Sequence, residues 1–262
     1  MTVVDTHCHA GRNWFEPVEL LLHQMNANAV DRAVLIQHRG TYDNTYLFEC
    51  ARRFPGRFAV LVMVDTSQEN ASEALEKWAA QGAVGIRLGP AERSPGPDPL
   101  AIWRTAARLG LVVSSLGDVD EFASEDFRHL VAELSDLPII IEHMAGVRQG
   151  AEPPYATYKK ALALAGYPNT YIKVGGLGEI SVRPQVLQSA FAFGHTPPLI
   201  EMACDAFGPR RLMWGSDYPP VSGREGYSNA LNGIKEYPAF RDNQTDRDWV
   251  MGKTALSVFR FD

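Results

Sequence analysis

The chain has 262 residues, 45% of them hydrophobic and 21% charged, and carries a formal net charge of −6. Single α/β barrels commonly reach that length, and the composition is that of an ordinary globular protein. The acidic balance argues against a nucleic-acid partner, and no apolar run approaches the roughly 20 residues that cross a bilayer.

Cys8, Cys50 and Cys204 are far apart, odd in number and form no CxxC pair. They indicate neither a disulfide framework nor a zinc finger, and a reducing compartment suits them. No basic stretch followed by an apolar one opens the chain, so no signal peptide is read and a cytoplasmic location is expected.

The first apolar run, V-V-D-T-H (3–7), reads as a strand and leads straight into C-H-A-G. Side chains alternate along a strand, so His7 and His9 are expected to share a face with Asp5 and Val3. Cys8 then points the other way, as a packing thiol. V-E-L-L-L-H-Q-M (18–25) follows, with apolar residues three and four apart, the spacing of a helix.

The alternation then repeats. R-A-V-L-I-Q (32–37) precedes a helix over 44–54, and F-A-V-L-V-M-V (58–64) precedes one over 70–80. A-V-G-I-R-L (83–88) precedes 99–109, and L-V-V-S-S-L (111–116) precedes 124–135. P-I-I-I-E-H (138–143) precedes 154–165, and T-Y-I-K-V (170–174) precedes helices over 184–193 and 198–207. The last run, R-L-M-W-G-S-D (211–217), is followed by helices over 228–236 and 245–258. Asn70 and Ser72 are plausible caps, and Gly82 and Gly110 stand where helices end.

Eight β-rich runs, nearly continuous in hydrophobicity and alternating with helices, predict an α/β fold: a (β/α)8 TIM barrel forming one domain over 1–262. An open doubly wound sheet is the other arrangement that strand count permits. The Pro- and Gly-rich piece 89–99 falls after the fourth strand, where a barrel carries an active-site loop.

In such a barrel chemistry gathers at the C-terminal strand ends. His7 and His9 end the first strand, His143 the sixth and Asp217 the eighth. An unpaired carboxylate closing an apolar strand is costly to bury, so Asp217 is expected to serve as a base or a metal ligand. The first and eighth strands are neighbours in a closed barrel, which would bring Asp217 beside His7 and His9.

Arg12, Arg39, Arg87, Arg148, Lys173, Arg183 and Arg224 fall near strand ends and suggest a small anionic substrate. Arg87 and Lys173 lie inside buried strands and are the main substrate-binding candidates, with a structural ion pair as the alternative. Arg12, Arg148, Arg183 and Arg224 read as solvated loop residues. Gln37, Tyr42 and Ser115 are further pocket-lining candidates. His38 reads as a loop residue, and His23, His129 and His195 as structural or solvated. G-G-L-G (175–178) reads as a tight turn that lets substrate approach.

Taken together, D-T-H-C-H (5–9), E-H-M-A-G (142–146) and W-G-S-D-Y-P (214–219) resemble the amidohydrolase superfamily. A-V-L-I-Q-H-R-G-T-Y-D-N (33–44), G-A-V-G-I-R-L (82–88) and T-Y-I-K-V-G-G (170–176) support it. The resemblance spans essentially the whole chain and is closest to the amidohydrolase-2 branch, near its lactonases of pyrone dicarboxylates and sugar acids. It implies hydrolysis of a lactone ester, with Asp217 as general base for the attacking water. It further implies that His7, His9 and His143 polarise the carbonyl or hold a metal that does so.

The sequence departs from the metal-dependent pattern in two places. The fourth strand carries Arg87 where binuclear members carboxylate a lysine, and a guanidinium cannot be carboxylated. The fifth strand ends in Ser114, Ser115 and Leu116 where many mononuclear members have a histidine. Metal-free catalysis is therefore the expectation. The alternative is one divalent ion, zinc by preference, on His7, His9 and Asp217. The rival readings are a metal-dependent non-oxidative decarboxylase or a lactone isomerase of the same branch, and, from another class, a barrel that binds a small molecule without turnover. No nucleic-acid or membrane partner is expected, and a homo-oligomer is compatible with the sequence.

Overall fold

A computed structural model describes residues 1–187, 193 and 195–261. Eight strands form its centre: β1 (Val4–Cys8), β2 (Arg32–Ile36), β3 (Phe58–Val62), β4 (Gly85–Leu88), β5 (Val112–Ser115), β6 (Ile139–Ile141), β7 (Thr170–Val174) and β8 (Leu212–Trp214). They pair in parallel in sequential order, β1 to β8. The ends meet beyond β8, where Cys8 bridges Tyr218. There the Asp217 N–H donates to the His7 carbonyl at 2.9 Å and the His9 N–H to the Tyr218 carbonyl at 2.8 Å. The Thr6 hydroxyl donates to the Trp214 carbonyl at 2.7 Å on the same seam. The fold is a (β/α)8 barrel.

The helices wrap this cylinder. They are α1 (Val18–Ala27), α2 (Thr45–Arg53), α3 (Ala71–Ala79), α4 (Ala101–Arg108), α5 (Val119–Phe122), α6 (Glu125–Glu133), α7 (Ala156–Leu162), α8 (Leu199–Phe207), α9 (Tyr227–Lys235), α10 (Pro238–Arg241), α11 (Gln244–Asp248) and α12 (Thr254–Val258). The short α5 and α10 have no clear counterpart in the apolar spacing, because four residues are too few to show a period. The expected helix over 245–258 is instead α11, a π-helical stretch (Trp249–Lys253) and α12. Of the helix expected over 184–193, residues 184–187 are not helical. Residues 188–192 of that expectation lie outside the described residues. Among the described residues no helix is long and apolar enough to cross a membrane.

The core divides as a barrel requires. Ala33, Leu35, Phe58, Val60, Val62, Ile86, Val113, Ile139, Ile141, Ile172 and Val174 pack outward against helix residues such as Leu21, Met25, Leu47 and Trp103. Val4, Val34, Ile36, Ala59, Leu61, Val84, Val112, Ile140 and Met213 fill the lumen, closed below by Ala255 and Phe259. Alternation then dictates what comes above that apolar plug. Arg87, Ser114, Glu142 and Lys173 each follow or separate outward-facing residues, so all four point inward, and all are buried.

The first strand breaks the simple alternation. Val3 packs in the outer cluster and Val4 in the lumen. Strict period-two counting would therefore send His7 outward. The β1–β2 register shifts between Asp5 and Cys8, which reverses the sense. His7 turns into the barrel, and Cys8 joins the outer core. The expectation that Asp5 shares the imidazoles' face is corrected here. Asp5 Oδ1 accepts from the Ser216 N–H at 2.8 Å and ties β1 to the segment after β8.

The closing seam is tight. A Cβ on Gly215 would lie 2.7 Å from the His7 Cβ and 3.1 Å from Thr6 Oγ1. Gly215→Ala is expected to cost about 1–3 kcal/mol, the scale of overpacking in a filled core. Chemical denaturation checks this, and an unchanged midpoint would mean that the seam relaxes freely.

Candidate active site

Three tiers stack at the C-terminal mouth. The lowest is a buried ionic layer. Glu142 sits immediately after β6 and is fully enclosed. Arg87 from β4 grips its carboxylate, with Nη2 at 2.7 Å from Oε2 and Nε at 3.2 and 3.1 Å from the two oxygens. The Ser114 hydroxyl donates to Oε1 at 2.6 Å. Lys173 from β7 lies 3.8 Å from the same oxygen. Burial alone would raise the Glu142 pKa, but Arg87 and Lys173 reverse this and hold it well below the carboxylate range.

The middle tier is the imidazole pair. His7 Nδ1 lies 3.2 Å from Lys173 Nζ. His9 Nδ1 lies 2.8 Å from the Ile36 carbonyl. The two rings meet edge-on with centroids 5.0 Å apart. Burial and the neighbouring Lys173 keep the His7 pKa well below its ordinary value, so His7 is neutral.

The upper tier comes from strained loops. His143, Met144 and Ala145 all have left-handed backbones, at φ 47°, 51° and 58°, and Asp217 has φ 59°. Such conformations cost of order 1–3 kcal/mol each and cluster at functional sites. They turn the His143 ring to 4.6 Å from that of His7. Asp217 Oδ1 stands 3.8 Å from His7 Nε2 and 3.7 Å from His9 Nε2. Its Oδ2 accepts from Arg224 Nη1 at 2.7 Å. Burial would raise the Asp217 pKa, but the surrounding His9, His143 and Arg224 keep it below the ordinary value, so it is ionised. His143 Nδ1 is 3.3 Å from Glu179 Oε1. Burial would lower the His143 pKa, yet Glu179, Asp217 and Glu142 together raise it.

A cavity of about 490 Å³ opens on this tier, lined by His143, Asp217, Glu179, Arg224, Arg148, Gln149 and nearby backbone. Phe15 stacks on His9 with centroids 5.0 Å apart and planes at 15°, roofing the other side.

Four expected site residues, His7, His9, His143 and Asp217, thus meet at one point. Arg87 and Lys173 lie beneath it, inside the ionic layer. Ser115 is buried next to that layer, but its hydroxyl has no hydrogen-bond partner among the described residues. Gln37 is buried, donates to the Asp43 carbonyl at 2.8 Å, and borders a separate cavity of about 270 Å³ with Trp14 and His38. Tyr42 is 44% exposed and stands apart from the cluster. Arg224, read as a solvated loop residue, is instead drawn in by Asp217, Glu179 and Glu225. G-G-L-G does not open a path for substrate at all of its glycines. A Cβ on Gly178 would fall 2.0 Å from Glu225 Oε2, so this glycine makes room for that carboxylate.

Glu142, Glu179, Ser114, Arg224 and Phe15 were not expected. Glu142 had a visible signal, a carboxylate inside an apolar run. Glu179 and Phe15 had none, since a short 3-10 turn and a loop place them.

Three groups of side chains come close enough to share an ion: His7, His9 and Asp217; His7, Glu142 and His143; His143, Glu179 and Asp217. Each already has a resident cation. Arg87 and Lys173 neutralise Glu142, and Arg224 bridges Asp217 and Glu179. A metal-bound histidine usually turns its other ring nitrogen to an acceptor. His9 does so; His7 faces an ammonium. As arranged, the residues do not fit a divalent ion shared by His7, His9 and Asp217.

A sequence profile described as amidohydrolase matches residues 4–261. An L-fucono-1,5-lactonase of Burkholderia ambifaria is 29% identical over 209 residues, 73% of this chain and 66% of that protein, just under two thirds of its length. One from Burkholderia multivorans is 25% identical over 250 residues, 90% of this chain and 82% of that protein. The solved structure of an amidohydrolase from Burkholderia multivorans with bound zinc superposes with a TM-score of 0.79 at 22% identity, covering 100% of both chains.

The ionic layer should dominate stability. Glu142→Gln leaves two buried cations underpaired and is expected to cost about 3–5 kcal/mol. The Glu142 carboxyl is more acidic folded than unfolded. Its stabilisation is therefore complete above the unfolded carboxylate pKa, at about 4.3, and fades as pH falls below it. Urea titrations of both proteins from neutral to acid pH check this, and parallel pH profiles would exclude the assignment.

Proposed function

The chain belongs to the amidohydrolase family, and from that premise we propose that it hydrolyses the ring ester of a small lactone without a metal. The observation that carries this is the meeting of Asp217, His7, His9 and His143 at one cavity, with Asp217 ionised and the imidazoles grouped about it.

Asp217 takes a proton from water as the water oxygen bonds to the lactone carbonyl carbon. An imidazole N–H at the mouth stabilises the oxyanion that forms. The ring C–O bond then breaks, and His143, whose charge Glu179 supports, gives a proton to the departing alkoxide. The proton on Asp217 returns by way of solvent to His143, which restores both groups and leaves the open-chain hydroxy acid. Arg224 fixes the Asp217 carboxylate, so the base needs no reorganisation when water arrives.

The cation inventory narrows the substrate. Arg87 and Lys173 are spent on Glu142, and Arg224 on Asp217, Glu179 and Glu225. Arg148 remains on the cavity wall and is exposed. The site thus suits a lactone with hydroxyl groups and one carboxylate at most, better than a dicarboxylate. The two lactonases of sugar acids among the relatives agree with that reading. A metal-dependent decarboxylase is disfavoured because the donor set does not fit its ion. A cytoplasmic location goes with this proposal and with three unpaired cysteines.

Asp217→Asn should lower kcat/KM on sugar 1,5-lactones by about 10²–10⁴, the usual scale for a positioned base, with the melting temperature little changed. Retained turnover in that variant would remove Asp217 from the mechanism. Exhaustive chelation should leave wild-type turnover intact; activity lost on chelation and restored by zinc would sink the metal-free route.

A further inference from the structure

We infer that the two imidazoles of the first strand are held in opposite tautomers, His7 as an Nε2–H donor and His9 as an Nε2 acceptor, and that Lys173 is the positioning residue that fixes His7. The inference deepens the lactonase reading and rests on it only for what the donor acts upon.

A neutral imidazole carries one N–H and one lone pair, and the partner of either nitrogen decides which is which. His9 Nδ1 faces the Ile36 carbonyl at 2.8 Å. A carbonyl can only accept, so Nδ1 carries a proton, and in the neutral ring inferred for His9, Nε2 is bare. His7 Nδ1 faces Lys173 Nζ at 3.2 Å. An ammonium has three hydrogens and no lone pair, so His7 Nδ1 must accept, and its proton is on Nε2.

The surroundings of Lys173 support the same assignment. Its Nζ lies 2.9 Å from Ser114 Oγ. The Ser114 hydrogen is already given to Glu142 Oε1 at 2.6 Å, so Ser114 accepts from the ammonium. Glu142 Oε1 lies 3.8 Å from the same nitrogen, an ion-pair distance. Arg87 completes the shell around that carboxylate. A Lys173 amine set between the Ser114 hydroxyl oxygen and the Glu142 carboxylate is placed as an ammonium.

His7 Nε2 is then a buried N–H with no hydrogen-bond partner among the described residues. Such a group costs about 1–3 kcal/mol to leave unsatisfied. It points into the gap shared with Asp217 Oδ1, where a lactone carbonyl oxygen would meet it. His9 Nε2 and Asp217 Oδ1, 3.7 Å apart, are both acceptors. That spacing lets them take the two hydrogens of one water and turn its lone pair toward the carbonyl carbon. The pair therefore divides the work: one imidazole stabilises the oxyanion, the other orients water. A chelated cation would need lone pairs on both, and Lys173 denies it one.

The test reads tautomers directly. Wild-type protein labelled with ¹⁵N-histidine is examined at neutral pH by long-range ¹H–¹⁵N correlation, with His7→Asn and His9→Asn used for assignment. The expected result is Nε2–H for His7 and Nδ1–H for His9. Nδ1–H on both overturns the inference, whether or not the protein turns over lactones. Conversely, opposite tautomers in a protein inert toward lactones would sink the proposed function and leave this assignment standing. In folded Lys173→Met, His7 should shift toward Nδ1–H. Zinc affinity, measured by equilibrium dialysis with zinc alone, should then rise about 10–100-fold, the usual scale for a changed outer partner. A His7 tautomer unmoved in that variant would show that Lys173 does not set it. If the variant fails to fold, the wild-type spectrum decides the tautomers alone.

Discussion

A fully buried carboxylate needs compensating charge, and much of this active site follows from how Glu142 obtains it. An ionised carboxylate taken out of water without partners would lose several kcal/mol even after relaxation. Here strands four, five and seven each send a polar group into the lumen to meet it. Arg87 supplies the bidentate grip, Ser114 a hydroxyl and Lys173 a second positive charge. The layer stands between the apolar plug of the lumen and the imidazoles. It thereby ties four strands together at the height where the chemistry begins. It also delivers an ammonium to the underside of His7, which couples the stability of the barrel to the protonation pattern of the site.

Above that layer, geometry is set by strain rather than by strands. β6 ends at Ile141 and β8 at Trp214, so His143 and Asp217 both lie beyond regular structure. Each has a left-handed backbone, and hydrogen bonds to neighbouring strands hold the strained segments. The Met144 N–H donates to the Lys173 carbonyl at 3.0 Å, and the Asp217 N–H to that of His7 at 2.9 Å. Strain stored this way turns the side chains inward without further packing, and it fixes them before any ligand arrives.

The electrostatics of the mouth are nearly self-contained. Arg224 is shared by Asp217, Glu179 and Glu225, while Arg87 and Lys173 both face Glu142. Within the amidohydrolase family a metal is one way to polarise a scissile carbonyl. In the metal-free reading proposed above, hydrogen-bond donors and a preformed carboxylate take that part. The observation behind that reading is that two inward-facing cations, on β4 and β7, already face Glu142.

Much of this was legible in the chain. Eight Val- and Ile-rich runs alternating with amphipathic stretches specified the barrel, because buried parallel strands must be apolar on both faces. Histidines and an aspartate closing such runs specified the mouth, because the C-terminal ends of the strands are where a barrel can expose them. Other features were beyond local pattern. The register irregularity in β1 decides that His7, and not Asp5, enters the lumen, and period-two counting cannot reveal a bulge. Arg87 and Lys173 looked like substrate ligands until Glu142 was seen across the lumen, 55 and 31 positions away in sequence. Arg224 lies in a turn and Glu179 in a three-residue 3-10 turn, whose course no periodicity encodes. The sequence by itself thus determined the fold and which four side chains gather at its mouth, since burial and alternation are local properties. Only the tertiary structure decided which charges neutralise one another and which partner each histidine nitrogen faces, since those depend on distances across the closed barrel.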